Sequence, residues 1–190
     1  MSGYILFAGA MANVIGTLPY IRQTIQGTTK PNRVTWFLWG LAPLIGGAIE
    51  LTSHVGWVAF PVFVSGILSA LVFISSFANK NAYWRLGSFD YLCGAFSVAA
   101  LVAWLALNQS ALAIACAILS DLFASLPTVR KSWTHPESES TGTYIGGLCN
   151  ALSAFLATSQ WTFSSLAFPG YIVVQEIILL SALYKKKLLS

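Results

Sequence analysis

Five polar residues stand alone in apolar surroundings: Asn13, Asp121, Asn150, Gln175 and Glu176. Each falls within about one residue, or ~1.5 Å of helical rise, of the midpoint of a long hydrophobic run. An ionisable group at the middle of an apolar span costs at least ~2.5 kcal/mol to insert, so it faces a cavity or a partner. The chemistry open to such a set is the holding of a small polar solute and the passage of a proton. Glu176 has only Ile172, Val173, Leu179 and Leu180 at helical spacing, and that surround disfavours its charged form. Gln175 points about 100° away, as a second solute contact or as a structural partner. Asp121 and Glu176 are therefore candidates for proton coupling or solute binding. Asn13, Asn150 and Gln175 are candidates for solute binding.

Asn13 heads a stripe with Gly16, Thr17, Tyr20 and Thr24, and Asp121 heads one with Ala124, Ser125, Thr128 and Ser132. Spacings of three and four put each set on one small, polar helix face that turns to protein or water. Either stripe also reads as a packing seam. Trp36 and Trp39 share a face, with Trp36 expected in an interfacial belt and Trp39 deep enough to wall a solute site. Pro19, Pro127 and Pro43 fall inside hydrophobic runs, where a missing backbone donor makes a hinge or a simple bend. His54 and His135 lie in connections on opposite sides, so no metal site, cofactor or catalytic set emerges, and the chain does not read as an enzyme. A retinal protein would need a lysine inside the last helix, and lysines come only at 185–187, beyond its end.

The elements that position these residues follow from composition. The 190 residues are 56% hydrophobic and 8% charged, with mean hydropathy +0.72. Soluble domains carry about 25% charged residues, so this is the composition of a membrane protein. Seven helical spans are expected, at roughly 4–24, 32–52, 56–78, 89–107, 111–132, 141–161 and 166–186. Turn and breaker residues separate them, including Gly27-Thr-Thr-Lys-Pro-Asn, Ser53-His54, Asn79-Lys-Asn, Asn108-Gln109 and Thr134-His-Pro-Glu. Cys93, Cys116 and Cys149 lie in apolar runs and are expected to be buried thiols.

All ten basic residues cluster near the first, third and fifth connections and after the last span. That asymmetry predicts the N-terminus outside and the C-terminus cytoplasmic, and it accounts for the basicity without a nucleic-acid partner. The compact connections suit a bacterial inner membrane.

The chain also repeats itself at an offset of 108 residues. Leu18, Pro19 and Arg22 meet Leu126, Pro127 and Arg130; Thr35-Trp36 meets Thr143-Tyr144; Ala59-Phe-Pro61 meets Ala167-Phe-Pro169. The expected fold is an all-α membrane protein of seven transmembrane helices, two parallel three-helix repeats joined by a linker helix. Residues 1–79 form the first repeat, 80–108 the linker helix and 109–190 the second repeat.

A duplicated Leu-Pro motif, a following basic residue, a short polar loop and a Thr-x-x-Trp-type helix start, in three-one-three order, resembles the PQ-loop and SWEET transporter superfamily. The resemblance covers nearly the whole chain. The Gln that normally follows the motif proline is Tyr20 in one copy and Thr128 in the other, which leaves subfamily and substrate open. The resemblance implies alternating-access movement of a small solute, such as a sugar, amino acid or nucleoside. It also implies proline hinges and solute contact by central aromatic and amide groups, here Trp39 and Asn150. Partners would be the solute and membrane lipid, with homo-oligomers left open. The alternative is a non-transporting receptor or sorting protein on the same scaffold.

Overall fold

The computed structural model describes residues 2–52, 59–106, 110–158 and 161–189. The turn signals at Ser53-His54 and Asn108-Gln109 lie outside the described residues. Those described form α1 (Ser2–Gln26), α2 (Arg33–Thr52), α3 (Ala59–Ser75), α4 (Ser88–Ala106), α5 (Ser110–Thr134), α6 (Thr141–Ala157) and α7 (Phe163–Leu189), with a short 3-10 turn, Pro136–Ser138, before α6. There is no strand among them.

The helix ends obey local chemistry. Gly27 takes a φ of 82°, which lets its N–H bond Thr24 O at 3.0 Å and Thr28 N–H bond Gln23 O at 3.0 Å. That left-handed cap stops α1. Asn32 opens α2, its Oδ1 accepting from the N–H groups of Val34 (3.1 Å) and Thr35 (3.3 Å). Pro19, Pro43 and Pro127 lie inside α1, α2 and α5, none of which is broken by them.

Three stretches, Gly3–Gln26, Ser88–Ala106 and Leu166–Lys185, are long and apolar enough to cross a membrane. Tyr4 (82% exposed), Leu156 (73%) and Trp161 (76%) show how apolar the outer surface is. A surface of that kind suits lipid and would promote association in water. The chain thus has the character of an integral membrane protein.

Contacts are most extensive between α1 and α6. Glycines make that approach possible: a Cβ on Gly16 would run into the carbonyl of Gly142, and one on Gly146 would meet Asn13 Cα. Thr17 Oγ1 and Thr143 Oγ1 share a hydrogen bond of 2.9 Å across the same seam. α3 contacts both α1 and α2, α7 contacts both α5 and α6, and α2 touches α5. There Thr35 Oγ1 donates to Ala124 O at 2.7 Å. α4 is fastened on two sides: Asn32 Nδ2 donates to Asp90 Oδ1 at 2.6 Å, and Ser120 Oγ donates to Ser97 O at 2.9 Å.

The ends with basic residues meet. Lys30 N–H bonds Ser138 O at 2.9 Å, Asn79 Nδ2 bonds Ile25 O at 3.0 Å, and the Lys185 ammonium lies 4.9 Å from the Trp133 ring. Both polar stripes turn inward: Asn13, Thr17, Tyr20 and Thr24 are buried, as are Ala124, Ser125, Thr128 and Ser132. One expectation is corrected. Cys93 is buried and Cys116 half-buried, but Cys149 is exposed on α6. In a protein with an apolar exterior, a thiol within an apolar run need not be inside.

Candidate functional site

Asp121 projects from the middle of α5, and α7 supplies its partners. Tyr171 Oη donates to Asp121 Oδ2 at 2.9 Å. Tyr171 and Gln175 are one turn apart on α7, so both reach α5, and Gln175 also bears on the carboxyl. From α2, the Trp39 side chain reaches the same carboxyl. Glu176, next to Gln175 but rotated away, lays its carboxyl over Gly147 of α6, where any side chain at 147 would displace it. The two acids are close enough to interact electrostatically. Asn150 stands one helical turn beyond Gly147 on α6.

Gln175 Oε1 and Glu176 Oε2 on α7, Trp39 Nε1 on α2 and Asn150 Oδ1 on α6 are buried without a hydrogen bond, as are Trp36 Nε1, Thr128 Oγ1 and Ser132 Oγ nearer the basic end. Such atoms are rare in folded proteins, because each forfeits its bonds to water. The pair on neighbouring residues of α7, Gln175 Oε1 and Glu176 Oε2, is the site's main peculiarity.

Asp121, Trp39 and Gln175 are thus brought together, with Glu176 alongside on α7, whereas Asn150 has its Cα against Gly9 in the α1–α6 seam. Asn13 is placed differently. Its backbone lies against Gly146 in the α1–α6 seam, and its Oδ1 accepts from Thr17 Oγ1 at 3.2 Å on its own helix. Of the prolines, Pro19 is exposed, Pro43 half-buried and Pro127 buried. Trp36 is not in an interfacial belt. It is 3% exposed, packed 5.0 Å from the Tyr20 ring and 5.3 Å from that of Trp39. Its depth along α2 was legible, but the face of α2 that meets α1 was not.

Sequence reasoning missed two features. Tyr171 was one, although its spacing of four from Gln175 signals a shared face. The other lies at the basic end, where Lys131 of α5 forms an ion pair with Glu139, their side chains 1% and 0% exposed. Glu139 Oε2 accepts from Tyr20 Oη at 2.8 Å and Tyr144 Oη at 2.7 Å, while Lys131 Nζ also donates to Lys30 O at 2.5 Å. The Trp84 ring lies 5.4 Å from that ammonium. α1, α5, α6 and two connections are tied at one point. No sequence signal singles out Glu139, which stands among turn residues.

Among known proteins, no family model, curated protein or solved structure matches the chain.

Proposed function

We propose that the protein is a membrane carrier that moves a small polar solute by alternating access. The observation that carries this reading is the set of buried, unpaired polar atoms around Asp121 and Glu176. A rigid membrane scaffold has no use for them, whereas a solute or a proton would complete them. The contact pattern supports two three-helix units: α3 touches α1 and α2 as α7 touches α5 and α6, with α4 between the units in sequence. The 108-residue step carries Thr35 to Thr143, and each of these threonines bonds the first helix of the opposite unit. The same step carries Trp39 to Gly147, so an indole in one unit is replaced by a gap that Glu176 enters. The solute would sit between the units, with the N-terminus outside and the basic end cytoplasmic. The Lys131–Glu139–Tyr20–Tyr144 cluster, which joins α1 to α5 and α6, would hold the two units together on the inner side.

The test is uptake into proteoliposomes with and without an imposed pH gradient. Accumulation only with the gradient makes Asp121 and Glu176 the proton-coupling groups, and Glu176→Gln then abolishes accumulation while exchange persists. Equilibration regardless of pH means a facilitator. No uptake of sugars, amino acids, nucleosides or amines overturns the carrier reading in favour of a receptor.

A further inference from the structure

We infer that the solute is an organic cation rich in N–H donors, a guanidinium or primary ammonium compound, held by Asp121, Glu176 and Gln175 beside Trp39. This rests on the carrier reading and narrows it.

The charge balance is the first argument. Asp121 and Glu176 are two acids at mid-helix with no basic residue bearing on either. The nearest cations along their own helices, Arg130 and Lys185, are nine residues on, roughly 13 Å of rise away. The ion pair described in this chain joins Lys131 to Glu139 and leaves both central acids without a counter-charge. Buried acids are ordinarily matched by a cation, a metal or a proton. No cluster of three metal-ligating side chains occurs among the described residues, which leaves an organic cation or a proton.

The second argument is independent of charge. Two of the unpaired atoms, Gln175 Oε1 and Glu176 Oε2, are acceptors on neighbouring residues of α7. Gln175 is only 6% exposed, so water does not serve it freely. Asp121 Oδ2 accepts from the Tyr171 hydroxyl, and the Gln175 and Trp39 side chains reach the same carboxyl. A wall of acceptors is completed by a ligand that is all donor. Ammonium and guanidinium groups offer three and five N–H bonds and no acceptor, whereas each hydroxyl of a sugar brings acceptor lone pairs with its one donor.

The test uses the full chain, purified in detergent and in proteoliposomes, with agmatine and putrescine as cations and glucose and uridine as neutral solutes. Saturable binding and uptake of agmatine or putrescine, with no glucose or uridine uptake, is the expected result. Glu176→Gln and Gln175→Leu should each weaken cation binding by roughly tenfold or more. Size-exclusion profiles check that the variants fold, and protection of the unaltered protein against heat by the cations needs no variant. Uptake of glucose or uridine without either cation overturns the cation and leaves the carrier standing. Cation binding without uptake keeps the site and overturns the carrier. Neither binding nor uptake of either cation overturns this inference.

Discussion

At the basic end, Glu139 is buried with every oxygen engaged: two tyrosine hydroxyls on one, the Lys131 ammonium on the other. At mid-depth, Asp121 and Glu176 are half-buried: Asp121 accepts from the Tyr171 hydroxyl, while Gln175 Oε1 and Glu176 Oε2 have no hydrogen bond. Burial of polar groups is costly in both places; Lys131 and Glu139 recover the cost through each other, whereas Glu176 Oε2 and Gln175 Oε1 have no partner. The satisfied cluster is a structural joint that holds its elements in one arrangement. The unsatisfied cluster leaves interaction energy for something that arrives. The two regions share helices α5 and α6, so a change in one is mechanically close to the other.

The largest expected effect breaks the joint. Glu139→Ala leaves Lys131 buried without its counter-charge and should cost on the order of 3–5 kcal/mol of stability. Gln175→Leu removes an unpaired acceptor together with the amide's contact to Asp121, so stability should change by less than about 1 kcal/mol, while solute uptake is lost. Unfolding in detergent measures both. Equal losses for the two variants would erase the distinction between joint and site.

Next in size is a contrast between glycines. Gly16→Ala drives a methyl into the Gly142 carbonyl, a backbone atom that moves only if α1 and α6 separate. Overpacking of that kind costs about 1–3 kcal/mol. Gly147→Ala meets the flexible end of Glu176 instead. Its stability should change by less than about 1 kcal/mol, with some offset from the helix preference for Ala, while uptake falls because the carboxyl is displaced. Unchanged uptake in Gly147→Ala would separate Glu176 from the transport path.

What the sequence made legible is explained by the same physics. Apolar runs and breakers located every helix, with α1 at 2–26 against an expected 4–24, and α6 ending at 157 rather than 161. The inward stripes were visible because small and polar residues at spacings of three and four can serve only one face. The Asp121 cluster was partly visible, since depth along a helix follows from residue count. Its pairing with Tyr171 was not, because which face of α7 meets α5 depends on packing. Lys131 was counted as one more charge marking an aqueous side. Its burial depends on Tyr20, distant in sequence and brought near by the α1–α6 seam, and no local pattern announces that.

The smallest expected effect asks whether the two units are equivalent. Thr143 bonds Thr17 across α1 and α6, and Thr35 bonds Ala124 O across α2 and α5. Thr143→Val and Thr35→Val each remove one buried hydrogen bond and should each cost about 1 kcal/mol. Thr35→Val carries the larger share if the carbonyl of Ala124 finds no other donor, whereas Thr17 keeps its bond to Asn13 Oδ1 in Thr143→Val. Separate interfaces make the double variant additive to within about 0.5 kcal/mol. A larger coupling would mean that the α1–α6 and α2–α5 contacts form and break as one unit. That would leave no independent closure at either interface, and it would remove the contrast between a fixed joint and a responsive centre.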